Sequence, residues 1–218
     1  MRVPFSKGYD VSAVIKGGWQ LSAGHTPGAV VDQEQALSDM LAYVQAGITT
    51  FDFGDIYTGV EELVGGCLER LRKRYGDGAR KMLQLHSKYV PDLGQLREHR
   101  AAHVQRIVDR SLQRLGVERL DLVQFHWWDY EVPGYLEAMS ALFDLKAAGK
   151  ILHVGVTNFD VERMQQFLDA GFKPASIQLQ YSLLDRRPET DMLPFCEQHN
   201  IRVLCYGTVA GSFLSDRF

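Results

Sequence analysis

Two rhythms of apolar residues alternate along the chain. In the first, apolar side chains return every three or four positions, as with Ala36, Leu37, Met40, Leu41 and Val44 within 33–46, or Leu63, Val64, Cys67, Leu68 and Leu71 within 60–74. Such a stripe predicts a helix with one buried face. It recurs over 96–115, 134–148, 160–170 and 189–199, and Gly47, Gly116 and Gly149 stand where three of these helices must stop. In the second rhythm, short runs are apolar almost throughout. They start near residues 14, 48, 82, 120, 151, 175 and 201, the first extending from Val14 to Leu21. Strands that pack on helices outside and on each other inside read this way. Their alternation with the helical stripes is the rhythm of βαβ units and predicts a parallel sheet.

Several runs end in polar side chains. Asp52 closes the run from Ile48, with Tyr57 just beyond it, and Lys88 closes the run from Met82. His126 closes the run from Leu120, Thr157 and Asn158 close that from Ile151, and Gln178 and Tyr206 fall at the ends of the last two. Polar groups gathered at the carboxyl ends of successive parallel strands are how a (β/α) barrel builds a site. A doubly wound open sheet has the same alternation, but its Gly-x-Gly-x-x-Gly turn has no match in Gly17-Gly18-Trp19. The expected fold class is therefore α/β: a (β/α)8 TIM-type barrel forming one domain over residues 1–218. Only about seven β/α units are present, because the seventh run is followed by Gly207 to Leu214 and then the Asp216-Arg217-Phe218 ending. The expectation is a C-terminally incomplete barrel, a fragment of a longer gene product, with unpaired edges on its first and seventh strands.

Composition narrows the function classes. Apolar residues make up 45% of the 218, enough for a sizeable core and against disorder. The net charge of −3 gives no electrostatic footprint for nucleic acid or an acidic membrane surface, and the basic run from Arg70 to Lys81 reads as a solvated helix and loop. No run approaches a membrane span. The first twenty residues carry Arg2, Lys7 and Asp10 and no long apolar stretch, so no secretory leader is expected. Three cysteines, Cys67, Cys196 and Cys205, lack metal-ligand spacing and suit a reducing compartment, and Cys196 and Cys205 are expected in the core. The expected location is cytoplasmic. Neither the cysteines nor the seven histidines suggest a metal site.

The strand-end residues share one chemistry. A tyrosine hydroxyl serves as a general acid when a neighbour favours its phenolate, and a lysine ammonium does so. Tyr57 is then the proton donor, Lys88 its tuning partner, Asp52 the group that holds Lys88, and His126 a hydrogen-bond donor that orients a carbonyl oxygen. Thr157, Asn158 and Gln178 are suited to a carboxamide, and Tyr206 to stacking on a flat ring, two features that a nicotinamide combines. Read singly, each residue has a plainer role. Asp52 is a loop or cap residue, Tyr57 half-buried packing, Lys88 a snorkelling lysine and His126 a satisfied core histidine. Trp127 and Trp128 are either packing or substrate wall.

The order of the motifs favours chemistry. Phe51-Asp52-Phe53-Gly54-Asp55-Ile56-Tyr57-Thr58-Gly59-Val60-Glu61 resembles the Asp-x-Ala-x-x-Tyr-Gly-x-x-Glu segment of the aldo-keto reductases. His86-Ser87-Lys88 is similar to their Thr/Ser-Lys strand end, and Leu122 to Trp127 to their Tyr-Leu-x-x-His strand. Gly155-Val156-Thr157-Asn158-Phe159 resembles Gly-Val-Ser-Asn-Phe, and Gln178 to Leu184 resembles Gln-x-x-Tyr-Ser-Leu-Leu. The likeness runs in order from Lys16 to Leu214. It departs at Phe53-Gly54, where a small pair is usual, at Thr58, where glycine is common, and in lacking the segment after the seventh strand. The resemblance implies hydride transfer from NADPH, less often NADH, to a small-molecule aldehyde or ketone. It implies Tyr57, Asp52, Lys88 and His126 as the catalytic set. It also implies Gly18, Trp19, Asp52, Thr157, Asn158, Gln178, Tyr206 and Gly207 around the cofactor. The competing reading is a non-catalytic or regulatory protein on the same scaffold.

Overall fold

The computed structural model of the protein describes residues 1–23 and 31–216. Arg217 and Phe218 of the expected incomplete ending lie outside the described residues.

The chain begins with a hairpin, β1 (Arg2–Ser6) and β2 (Tyr9–Ser12), paired antiparallel around Lys7-Gly8. Val3 and Phe5 alternate with Arg2, Pro4 and Ser6 along β1, a segment too short for that pattern to stand out in the sequence. From β3 onward strand and helix alternate. The strands are β3 (Lys16–Gly17), β4 (Thr50–Asp52), β5 (Gln84–Tyr89), β6 (Leu120–Phe125), β7 (Ile151–Thr157), β8 (Ser176–Gln180) and β9 (Arg202–Tyr206). The helices are α1 (Gln33–Gln45), α2 (Val60–Tyr75), α3 (Ala101–Leu115), α4 (Tyr135–Ala147), α5 (Val161–Asp169) and α6 (Met192–His199). The seven strands β3 to β9 lie side by side in chain order, every pair parallel.

The first of these strands is much shorter than the run from Val14 to Leu21 suggests. Only Lys16 and Gly17 pair with β4, Val14 is exposed, and the chain turns at Gly18 into a single 3-10 turn, Trp19–Leu21. The Gly17-Gly18 pair cannot sustain an extended apolar strand. Gly18 nonetheless stays against the sheet, donating its N–H to Asp52 O at 2.7 Å.

Caps and packing set the helices close to the stripes, except that α3 starts at Ala101 rather than at residue 96, because Leu93–Glu98 forms a separate 3-10 helix. Asp32 and Asp160 accept from the backbone N–H groups of Gln35 and Arg163 at the starts of α1 and α5. Gly116 ends α3 in a left-handed conformation, φ +64°. Gly65 lets α2 lie close on the end of α3, since a Cβ there would meet Arg114 O at 2.7 Å. The main core fills the space between helices and the outer face of the sheet, with Phe51, Leu85, Val123, Phe125, Val154, Val156 and Ile177 facing Leu68, Val108, Met139, Leu142 and Phe167.

The inner face differs from the expected continuous apolar surface. Thr50, Asp52, Gln84, His86, Lys88, Gln124 and Gln178 are all buried there, spaced by two along their strands. A small second core of Phe5, Val11, Leu122 and Leu204 closes one end of this polar interior, with the hairpin as its plug. Tyr9 reaches His86 at 2.9 Å, and Ser6 reaches His153 at 3.1 Å. Cys67 and Cys196 are buried, whereas Cys205 is exposed rather than a core thiol, because its position on β9 alternates with buried Leu204. No helix among the described residues is long and apolar enough to cross a membrane, and no group of three or more metal-type ligands occurs among them.

Candidate active site

Asp52 is the hub of the inner face. One oxygen of its carboxylate pairs with Lys88 Nζ. The other accepts from Gln124 Nε2 at 2.6 Å and Gln178 Nε2 at 2.8 Å. Four strands, β4, β5, β6 and β8, thus meet at one buried carboxylate. Lys88 is 6% exposed and also donates to Phe53 O at 3.0 Å. A buried ion pair is tolerable only when its remaining donors and acceptors are satisfied, and the two glutamines and the carbonyl do that here.

Tyr57 stands over this pair. The Lys88 ammonium lies 5.1 Å from the centre of the Tyr57 ring, close enough to favour the phenolate. The edge of Trp19 packs on the same ring, with centroids 5.2 Å apart. Burial raises the phenol above its ordinary titration range, Lys88 opposes this, and Asp52 and Asp55 reinforce it. The net direction is upward, opposite to the lowering toward neutrality that Lys88 alone suggests. Desolvation penalises phenolate more than one neighbouring ammonium favours it.

The loop from Phe53 to Gly59 takes its shape from the strand ends. Phe53 N–H donates to His86 O at 2.9 Å, and its ring is fully buried, which accounts for a large residue at that position. Gly18 lies under the loop. A Cβ there would meet Val60 Cγ1 at 2.8 Å, Phe53 Cβ at 3.2 Å and Asp52 O at 3.3 Å, so the close approach needs glycine.

His126 follows β6 and is partly buried, with its N–H on Tyr89 O at 3.0 Å. Its Nδ1 lies 3.3 Å from Thr157 O. A carbonyl only accepts, so this contact places the proton on Nδ1 and leaves Nε2 an acceptor in the neutral ring. Burial lowers the pKa of His126, which favours that neutral form. The expected donation to a substrate oxygen is therefore open only to the imidazolium. Trp128 packs edge-on against His126 with centroids 4.7 Å apart, donates its indole N–H to Pro91 O at 2.7 Å and is 46% exposed. Trp127 is buried and donates to Asp129 O and Val132 O, which makes it packing.

The residues expected around a nicotinamide divide. Asn158 is exposed, has φ +59°, and its Oδ1 accepts from Tyr206 Oη at 2.9 Å. Tyr206, 39% exposed, thus offers a ring face beside a side-chain amide. Thr157 is buried with its carbonyl turned to His126, and Gly207 turns the chain with φ +66°. Gln178 points inward, its amide nitrogen committed to Asp52. An amide donor beside a buried carboxylate is held there more strongly than at the open mouth.

Three residues escaped sequence reasoning. Gln124 lies two positions before His126 and so faces the same interior, a signal that strand periodicity carries. Asp55 and Glu61 sit in the Tyr57 segment but are buried rather than solvated. Asp55 Oδ1 accepts from Val90 N–H at 3.1 Å, and Glu61 accepts from Ser87 Oγ at 2.8 Å and Arg114 Nη1 at 3.2 Å. Only the fold shows that α3 brings arginines to both.

The sequence model of the aldo/keto reductase family matches residues 13–218. Aldo-keto reductase YhdN of Bacillus subtilis is 31% identical over 215 residues, which are 96% of this chain and 62% of that protein. The NADH-specific methylglyoxal reductase of Escherichia coli is 28% identical, over 91% of this chain and 64% of its own length. The chain thus spans somewhat under two thirds of both relatives. A crystal structure of an aldo/keto reductase from Klebsiella pneumoniae, in complex with NADP and acetate, superimposes with a TM-score of 0.77 at 30% identity, covering 99% of this chain and 71% of that one. The curled parallel sheet, the order of the strand-end residues and these matches agree: the chain belongs to the aldo/keto reductase family.

Proposed function

We propose that this protein reduces the carbonyl of a small aldehyde or ketone with a reduced nicotinamide dinucleotide, and that Tyr57 donates the proton. NADPH is the first choice of cofactor and NADH the second, since one similar structure holds NADP and one relative is NADH-specific. The observation that carries the reading is the stack of Tyr57 on Lys88 on Asp52.

Asn158 and Tyr206 fit a nicotinamide, as an amide partner and a ring face held together at 2.9 Å. When bound, the reduced nicotinamide supplies the hydride. The protein's own residues manage the oxygen. Tyr57 keeps its proton at neutral pH because burial raises its pKa. As charge develops on the substrate oxygen, the phenol proton moves to it, and Lys88 stabilises the phenolate left behind. Asp52 fixes Lys88, and Gln124 and Gln178 fix Asp52. His126 orients the substrate through Nε2, accepting from a hydroxyl when neutral and donating only when protonated. Trp19 beside the Tyr57 ring and Trp128 beside His126 are the aromatic groups placed to shield the oxygen from water.

The test is loss of nicotinamide absorbance with a panel of small aldehydes that includes methylglyoxal. Turnover that disappears in Tyr57→Phe supports the reading. Absence of oxidation of both NADPH and NADH with every aldehyde overturns it, and cofactor binding without turnover would favour the non-catalytic alternative.

A further inference from the structure

The loop that carries Tyr57 is fastened to the strand that carries Lys88, and one buried acid makes the fastening. Asp55 N–H donates to Lys88 O at 3.4 Å. Beyond the end of β5, Val90 N–H donates to Asp55 Oδ1 at 3.1 Å. Asp55 stands two residues before Tyr57, and Val90 stands two after Lys88. The side-chain bond therefore closes a short bracket around the phenol and the ammonium. From α3, Arg110 approaches the other Asp55 oxygen at 3.5 Å and Arg114 donates to Asp55 O at 3.2 Å. Between Gly54 and Val60 the neighbouring residues Ile56, Thr58 and Gly59 are exposed, so Asp55 and Tyr57 are the only buried side chains there.

We propose that Asp55 is a positioning residue, whose side-chain oxygen ties the Tyr57 loop to the end of β5 and sets the approach of the phenol to Lys88. This rests on the reading of Tyr57 as proton donor. Misplacing a reacting group by about 1 Å costs up to ~100-fold in rate, so a bracket of this kind matters to turnover even without touching substrate. The groups that face Asp55 are Tyr57 on its own loop, Glu61 from α2, Tyr89 from β5, and Arg110 and Arg114 from α3. Burial and Glu61 push its carboxyl up to about 7, while Val90 and the two arginines pull the other way.

The experiment compares Asp55→Asn, which retains an oxygen for the Val90 N–H, with Asp55→Ala, which does not. Both lose the charge, so their difference isolates position. In Asp55→Ala, kcat falls on the order of ten-fold below Asp55→Asn, with cofactor KM little changed. Carbon-13 NMR of the tyrosine rings shows Tyr57 titrating at higher pH in Asp55→Ala than in Asp55→Asn, because the phenol has drifted from Lys88. Val90 amide exchange accelerates only in Asp55→Ala. Equal Tyr57 titration and equal Val90 exchange in the two variants overturn the proposal. Should Asp55→Ala fail to fold, Asp55→Ser, whose shorter side chain cannot reach the Val90 N–H without moving the loop, replaces it in both NMR comparisons, and equal Tyr57 titration and equal Val90 exchange against Asp55→Asn overturn the proposal. The NMR readouts need no turnover, so a failed carbonyl assay and a failed positioning role are told apart.

Discussion

Gln178 donates to Asp52 at 2.8 Å although 126 residues and three intervening strands separate them. Neighbouring strands lie about 4.8 Å apart, so in a flat sheet β4 and β8 would stand roughly 19 Å from each other. The bond is possible only because the sheet curls until its inner face closes on itself. That curl gathers the inner-face side chains onto one carboxylate, Asp52 of β4, which side chains from β5, β6 and β8 all reach.

Removing that carboxylate leaves the Lys88 ammonium buried without its partner. Breaking one side of a buried pair costs about 3–5 kcal/mol. Asp52→Ala is expected to lose that much in urea unfolding and to lose turnover with it. Asp52→Asn retains acceptor capacity and should lose less stability but still impair reduction, since the charge that fixes Lys88 is gone. An Asp52→Ala protein as stable as the parent would contradict the hub.

Tyr57→Phe removes only the hydroxyl. The ring still packs on Trp19 and lies over Lys88, so the fold and cofactor binding are expected to persist. Turnover should drop about 10²–10⁴-fold, the range for loss of a positioned acid. Stopped-flow hydride transfer, alongside fluorescence titration of cofactor, separates the chemical step from binding.

Gly18→Ala tests the floor of the loop. The new methyl would sit 2.8 Å from Val60 Cγ1, on a β-branched side chain with little room to turn, and 3.3 Å from Asp52 O. Overpacking of this kind costs about 1–3 kcal/mol. The shift in urea midpoint gives the magnitude, and a neutral result would mean that the loop yields freely.

The repeating order of strands and helices was legible because each helix carries its own stripe and stop. The start of the barrel was not. Gly17-Gly18 interrupts an apolar run whose composition alone reads as a strand, and the hairpin of β1 and β2 buries only a few side chains against Leu122 and Leu204. Asp52, Lys88 and Tyr57 were legible as a group because they end neighbouring strands. Their electrostatics were not, because desolvation depends on what else is packed around a side chain. The inward turn of Gln178 and the proton position on His126 depend on acceptors that the chain brings from elsewhere. Asp55 was hidden in the Tyr57 segment itself, since an acid in a loop normally faces water.

Two buried groups tilt the stability of this protein against pH in opposite directions, and separate variants expose each slope. His86 is fully buried beside Tyr9 and its pKa is lowered by desolvation to about 4 from 6.5. Between those values the unfolded chain binds the proton and the native protein does not, so His86 lowers stability as pH falls from 6.5 to 4. Asp55 does the reverse. Its carboxyl is raised from 3.8 to about 7, so the native protein holds a proton that the unfolded chain has released, and stability falls as pH rises through that window. In the parent the two slopes oppose each other between about pH 4 and 7. Urea unfolding across that range should show His86→Leu losing less stability toward acid than the parent, despite orphaning the Tyr9 hydroxyl. Asp55→Asn should lose less toward neutrality. Parallel pH profiles for parent and variant would show that the group in question does not change its protonation on unfolding.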